Sequence, residues 1–386
     1  MDKQAEILKK KVLQLVPAQF DALALEVFRY QAQNNPVYAQ YLQYLGTQID
    51  SIQHVEKIPF LPIEFFKSQE IITGNKNTKL TFESSGTTGQ QTSRHYIKDP
   101  DFYLKVAEQI FEKFYGKLSD FQILALLPSY LERNNSSLVY MVEHFIKKSG
   151  SPDSGFFLND YENLVKILKQ GSKKTGDSTL SNNINRDSKS EIQHPKPKIL
   201  LIGVTFGLLD FAEYGTAGVP VDLSFLQETE NLIVMETGGM KGRRKELLRE
   251  EVHEILTKAF HVKTIHSEYG MTELLSQGYS FGEGVFELPT SMKILLRDVN
   301  DPFSYVPHAR SGGLNVIDLA NIDSCSFIET KDLGSYQLPV SSEQLPGNSD
   351  VETDLPLSVS PQTKAQFRIL GRFDNSDIRG CNLMIS

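Results

Sequence analysis

Apolar positions along the chain fall into two regimes. Up to about residue 58 they recur at helical spacing, with Ile7, Leu8, Val12, Leu15 and Val16 in one stripe and Leu23, Val27 and Phe28 in another. Pro36 and Pro59 punctuate that region. The segment Ile58–Phe66 (IPFLPIEFF) is apolar but carries two prolines, which remove backbone donors, so it reads as a buried connector rather than a helix. From Leu80 onward apolar runs alternate with helical stretches. Ile123–Leu127 (ILALL) precedes a helix over Ser136–Lys148 with Leu138, Met141, Val142 and Phe145 on one face. Lys198–Val204 (KILLIGV) and Asn231–Glu236 (NLIVME) are short continuous apolar runs, as parallel strands buried on both faces are. The second leads into a helix predicted over Arg244–Lys258. Strand–helix alternation predicts an α/β fold. Two polar stretches, Gly171–Lys198 and Ser341–Gln366, break the pattern and read as surface loops inserted between elements.

Composition narrows the class. The chain has 386 residues, 40% of them apolar, and a net charge of −8. An acidic chain without long basic runs is a poor nucleic-acid binder. Two cysteines, Cys325 and Cys381, make no disulfide framework and point to a reducing compartment. The charged N-terminus is not a signal peptide, and no apolar run is long enough to span a membrane. These features predict a large soluble cytoplasmic protein, with an enzyme the favoured class.

The densest chemistry lies at Phe82–Tyr96, FESSGTTGQQTSRHY. Ser84, Ser85, Thr87 and Thr88 surround Gly86 and Gly89. Glycines let the backbone approach a ligand, successive N–H groups form an anion-binding concavity, and hydroxyls add donors; the set suits a polyphosphate. Lys does not follow the second glycine, so this is not a Walker-type loop. Arg94 offers a positive charge nearby. His95 reads either as facing the phosphates or as an ordinary loop histidine.

Four further segments follow in order. Met235–Arg244 (METGGMKGRR) puts Gly238 and Gly239 at the end of a predicted strand, where α/β sheets bind ligands. Ser267–Glu273 (SEYGMTE) offers the ring of Tyr269, a turn at Gly270, the hydroxyl of Thr272 and the carboxylate of Glu273, a hard oxygen ligand suited to Mg²⁺. Taken alone, it also reads as a capped helix start. Ile328–Gly334 (IETKDLG) supplies Asp332, and Ile369–Gly380 (ILGRFDNSDIRG) supplies Arg372 and Asp374.

These motifs, in this order, resemble those of the adenylate-forming superfamily, and from about Phe60 the chain is similar to its acyl-protein synthetases of the luciferin-component ligase type. The resemblance implies the large N-terminal domain of that fold, mixed sheets flanked by helices, over residues 59–386 behind a helical segment 1–58. It implies ATP and Mg²⁺, with the 84–89 loop around the phosphates, Tyr269 near adenine, Thr272 at the α-phosphate, Glu273 on the metal, Asp332 on the ribose hydroxyls and Arg372 near ribose or phosphate. Superfamily members continue past the hinge at Asp374 into a closing domain; here the sequence stops at Ser386, so that domain is expected to be missing.

In that family a cysteine near the C-terminus takes the acyl group from acyl-AMP and passes it to a reductase. Cys381 (RGCNLMIS) has the matching place, with Arg379 to favour its thiolate. Cys325 (IDSCSFIE) reads as strand core. The expected substrate is a fatty or other carboxylic acid, and the expected partner an acyl-accepting protein, a reductase or a carrier. A coenzyme A or carrier-protein ligase, and a non-catalytic nucleotide- or acyl-binding subunit, stand as alternatives. Chain length of the acid and oligomeric state are not encoded in these motifs.

Overall fold

A computed structural model of the chain describes residues 2–84, 91–128, 135–172, 197–214, 222–238, 247–306, 311–337 and 366–372. In chain order these form helices α1 (Lys3–Leu13), α2 (Phe20–Asn34) and α3 (Pro36–Tyr44), strand β1 (Leu61–Pro62), the one-turn helix α4 (Phe65–Ser68), and strands β2 (Leu80–Glu83) and β3 (Arg94–Ile97). Then come α5 (Pro100–Tyr115), β4 (Phe121–Leu126), α6 (Ser137–Ser149), β5 (Gly155–Phe156), α7 (Tyr161–Ser172), β6 (Lys198–Val204), α8 (Thr205–Tyr214), β7 (Leu232–Thr237) and α9 (Arg249–Phe260). Strands close the order: β8 (His266–Tyr269), β9 (Gly278–Ser280), β10 (Val285–Glu287), β11 (Met292–Arg297), β12 (Ser311–Asp318), β13 (Phe327–Gln337) and β14 (Gln366–Arg372). Contacts divide the chain into two compact units, one of Met1–Ile110, Asn135–Leu138 and Ser267–Ser386, the other of Phe111–Asn134 and Val139–His266.

The second unit is parallel α/β. Its strands lie in the order β7-β6-β4-β5, every neighbouring pair parallel and in register from Phe121↔Lys198 to Val204↔Thr237. All six residues of β4 are buried, which is what a central parallel strand covered on both faces requires and why its sequence is continuously apolar. Leu124, Leu201, Leu208, Phe211, Val234, Leu256 and Phe260 join the helices to the sheet in one core cluster. α9 begins at Arg249, five residues later than the apolar spacing predicts. The Leu248 N–H donates to the Glu251 carboxylate at 2.8 Å, and this local hydrogen bond fixes the start of the helix.

The first unit is mostly antiparallel, in the order β11-β12-β13-β14-β10-β9-β8, with β1 added in parallel to β13. β2 and β3 form a separate antiparallel ribbon that pairs Phe82 with His95 and Glu83 with Arg94. The N-terminal helices have caps that agree with their sequence. Asp2 accepts from the Gln4 and Ala5 N–H groups ahead of α1, and Asn35 accepts from the Tyr38 N–H, with Pro36 at the first position of α3. Their apolar stripe packs on the start of β13. Phe327 meets Phe28 edge-on at 6.0 Å, meets Phe60 edge-on at 6.2 Å and stacks on Tyr38 at 6.2 Å. The connector after Ile58 is buried as expected, and it also contributes β1 and α4.

Mixed strands flanked by helices agree with the expected fold class. Among the described residues no helix is long and apolar enough to cross a membrane. The two polar insertions lie almost wholly outside the described residues. Cys325 is fully buried, but in the turn before β13 rather than within a strand.

Candidate functional site

The first unit brings together residues that the sequence spreads over three segments. Tyr269 ends β8, Asp332 lies in β13, and Arg372 ends β14, where pairing sets Asp332 directly opposite Arg372. The Tyr269 hydroxyl donates to Asp332 Oδ2 at 2.9 Å, and Arg372 Nε lies 3.2 Å from Asp332 Oδ1. The tyrosine ring stands edge-on to Phe286 at 6.1 Å and to Phe367 at 5.8 Å, so it is anchored at both its ring and its hydroxyl. Burial first, then the neighbouring Asp332 charge, pushes the Tyr269 phenol well above its ordinary range, so it remains a donor at every physiological pH. Asp332 is 7% exposed, and each of its oxygens already meets one donor.

Glu273 comes close enough to sense both Asp332 and Arg372. It is 5% exposed. Burial raises its proton affinity, while a hydrogen bond from the Ser93 hydroxyl and the Arg372 guanidinium pull the other way. Glu273, Asp332 and Arg372 carry one more negative charge than positive, which repels a polyphosphate unless a divalent cation joins them. A single hard carboxylate with phosphate oxygens completing the shell is how Mg²⁺ is commonly held, so the donor set fits that ion.

Thr272 and Glu273 form a turn, not the start of a helix. Both of their carbonyls are held. His95 Nδ1 lies 2.9 Å from the Thr272 oxygen, and Asn321 Nδ2 donates to the Glu273 oxygen at 2.8 Å. The amides just downstream are held too. Asp318, fully buried, accepts from Leu275 N–H at 2.7 Å, Ser276 N–H at 2.9 Å, the Ser276 hydroxyl at 2.7 Å and Ala320 N–H at 3.0 Å. Burial raises the proton affinity of Asp318, and those four donors oppose it. Gly270 precedes this turn. A β-carbon there would meet the carboxylate end of the Glu268 side chain, which would have to shift to admit it.

At the glycine–hydroxyl loop, the described residues are its two ends. Ser84 N–H donates to the Ser93 carbonyl at 3.0 Å, and Ser93 N–H donates to Ser84 Oγ at 2.9 Å, so Ser84 closes the base of the loop. Ser85, Gly86, Thr87, Thr88 and Gly89 lie outside the described residues, as do Gly239 and Cys381. Alternation along β3 buries Ser93, His95 and Ile97 on one face and leaves Arg94 and Tyr96 half-buried on the other. Arg94 therefore stands on the opposite face from the Ser93–Glu273 contact, where its charge reaches Glu70. His95 has neither of the two placements open to it on sequence grounds. It is a buried strand residue, and burial pushes its imidazole down to about 4.

In the second unit, Gly238 follows β7 with φ of 69°, a conformation that favours glycine, and its carbonyl accepts from the Thr205 hydroxyl at 3.0 Å. Glu236, buried two residues earlier, accepts from Thr205 at 3.2 Å and from Arg249 Nε at 3.1 Å.

Comparison with solved structures identifies a known fold. The chain matches 2-hydroxyisobutyryl-CoA ligase, in an open conformation with 2-HIB-AMP and CoA, at TM-score 0.60 and 12% identity over 92% of this chain and 70% of the ligase. The same ligase in its thioesterification state matches at TM-score 0.60 and 13% identity over 95% and 71% of the two chains. The fold is that of an adenylate-forming ligase. No family model matches the chain, and no curated protein matches it by sequence.

The residues that sequence reasoning missed are supports. Asp318 was visible as a carboxylate inside an apolar run (GLNVIDLA), and Ser93 as a polar group sharing a face with Ile97. Such placements mark polar groups that must be satisfied inside the protein.

Proposed function

We propose that this protein activates a carboxylic acid with ATP, giving acyl-AMP and pyrophosphate. The observation that carries the reading is the convergence of Tyr269, Glu273, Asp332 and Arg372 on an adenylate-forming ligase fold. A substrate carboxylate oxygen attacks the α-phosphorus. The bond from that phosphorus to the bridging oxygen breaks, and pyrophosphate leaves with the electron pair. Such displacements are accelerated by positioning and charge neutralisation rather than by acid–base groups. Asp332 accepts from the ribose hydroxyls, Arg372 sets against the developing phosphate charge, and Thr272 donates to an α-phosphate oxygen. Glu273 would hold Mg²⁺, which would supply the remaining neutralisation. The Ser84–Gly89 loop embraces the leaving phosphates. Arg94, on the far face of its ribbon, takes no step in this scheme.

The second half-reaction transfers the acyl group to a thiol. The thiolate of Cys381 attacks the acyl carbonyl carbon, a thioester forms, and AMP departs with the electrons of the acyl–phosphate bond; a protein partner, an acyl reductase or carrier, then takes the acyl group. Fatty acids are the substrate class in this scheme. The likeness to a ligase solved with CoA favours a second acceptor, coenzyme A, in the same position of the scheme.

Isotope exchange between pyrophosphate and ATP across a panel of fatty, short hydroxy and aryl acids tests the first step; no exchange with any acid refutes it. Cys381→Ser is expected to keep exchange and to lose hydroxylamine-sensitive acyl-protein. Acyl-protein that persists in this variant removes Cys381 from the scheme, and acyl-CoA formed at undiminished rate assigns the acceptor role to coenzyme A.

A further inference from the structure

The Thr272–Glu273 turn receives its geometry from a histidine that touches neither nucleotide nor metal in the scheme above. His95 is 1% exposed, and its ring stands edge-on to Phe66 at 5.8 Å, which fixes its plane. Nδ1 lies 2.9 Å from the Thr272 carbonyl oxygen and Nε2 lies 2.9 Å from Ser324 Oγ. A carbonyl oxygen only accepts, so Nδ1 carries the proton. The neutral ring then offers Nε2 as an acceptor, and the Ser324 hydroxyl donates to it. Ser324 is itself pinned, because its carbonyl accepts from Asn35 Nδ2 at 2.9 Å and from the Thr73 hydroxyl. The hydrogen-bond directions from Ser324 through His95 to Thr272 are thus fixed by chemistry, with one tautomer allowed.

Position in the chain gives this relay its use. His95 is two residues beyond Ser93, whose backbone closes the glycine–hydroxyl loop on Ser84 and whose hydroxyl reaches Glu273. The three residues Ser93–His95, where β3 begins, therefore hold the loop base, the Glu273 carboxylate and the Thr272 carbonyl at once.

We propose that His95 is a positioning residue, held as its Nδ1–H tautomer by Ser324, that sets the Thr272–Glu273 turn in register with the base of the glycine–hydroxyl loop. The inference deepens the adenylation reading and rests on it for its kinetic part. A displaced turn moves the Thr272 hydroxyl and the Glu273 carboxylate away from the reacting phosphate, and a shift of about 1 Å in a positioning group costs on the order of a hundredfold in rate.

The test uses near-isosteric variants of the full chain. Asparagine can present its amide nitrogen where His95 has Nδ1–H, whereas glutamine reaches toward the Nε2 side. In ATP–pyrophosphate exchange, His95→Asn is expected to keep kcat within about fivefold of the parent. His95→Gln is expected to lose about tenfold to a hundredfold in kcat with the ATP KM within about threefold. Ser324→Ala, which releases the tautomer, is expected to fall between them. Equal losses in the Asn and Gln variants, or a loss carried wholly by KM, overturn the proposal. A second readout is independent of turnover: amide hydrogen exchange across residues 270–276. It is expected to be at least tenfold faster in His95→Gln than in His95→Asn, and equal rates overturn the proposal. If the parent shows no exchange activity with any acid, the adenylation reading fails, and the amide-exchange comparison still decides the role of His95.

Discussion

The contact between Tyr269 and Asp332 gives a quantitative test of the site. Its hydroxyl and carboxylate are both buried and 2.9 Å apart. A hydrogen bond to a charged group contributes about 1.5–3 kcal/mol, and a neutral acceptor roughly half of that. Asp332→Asn keeps an oxygen facing Tyr269 but removes the charge, and Tyr269→Phe removes the donor. Each single variant is expected to lose about 1–2 kcal/mol in urea unfolding, seen as a lower midpoint at unchanged m-value. The double variant is expected to lose less than the sum, by a coupling of about 1 kcal/mol, because the charge-assisted part can be lost only once. Arg372 is different. Its side chain is 67% exposed, so its pairing with Asp332 is screened by water and Arg372→Ala should cost less than about 1 kcal/mol in stability. The same arginine should matter more for exchange kinetics, where it meets phosphate charge. A coupling between Tyr269 and Asp332 below about 0.3 kcal/mol, the ordinary scatter of additivity, refutes the claim that this hydrogen bond organises the site.

Asp323 joins the Lys9 ammonium at 2.8 Å and the Lys98 ammonium at 3.1 Å, both lysines nearly buried; Asp323→Asn is expected to lower unfolding free energy by about 3–5 kcal/mol, and a loss under about 1 kcal/mol refutes a buried ion cluster. The pH dependence of stability should carry the signature of His95. Its folded value, about 4, lies below its ordinary 6.5, so the unfolded chain binds the proton first, and stability is full above about 6.5 and lost as pH falls toward 4. Between pH 7 and 5 the parent should lose about 2 kcal/mol more than His95→Asn; parallel curves refute the buried neutral imidazole. Cys325 has its thiol pushed up to about 12 by burial, so iodoacetamide at pH 8 should leave it unmodified in the native protein, checked by mass spectrometry; a Cys325 adduct refutes its burial.

Local chemistry made much of the fold legible. β6 falls where the run KILLIGV lies, and β4 and α6 begin within two residues of their apolar patterns, because buried parallel strands and one-sided helices write their environments into the sequence. Tyr269, Glu273, Asp332 and Arg372 were legible as motif residues. Their meeting was not, since it depends on the pairing of β13 with β14, which lie apart in sequence. The helix start at Arg249 was missed because the Leu248–Glu251 hydrogen bond carries little signal beside the apolar spacing of the whole stretch. The turn at Thr272–Glu273 was missed for a tertiary reason. A Thr-Glu pair has good capping chemistry, but His95, Asn321 and Asp318 take the backbone groups that a helix needs for itself.

The N-terminal helices bear on the order of events during synthesis. Gln31, in α2, donates to the Asn321 carbonyl at 2.8 Å and accepts from the Ser326 N–H at 2.9 Å, partners 290 and 295 residues away in sequence. Asn35 reaches Ser324 across 289 residues. Contacts of such separation close late and slow folding. At a synthesis rate of roughly 5–20 residues per second, the first helices wait on the order of tens of seconds for these partners. During that interval the apolar stripe that will cover Phe327 has nothing native to cover. The exposure of this stripe to aggregation and to chaperones thus lasts until the segment around residues 321–327 has been made.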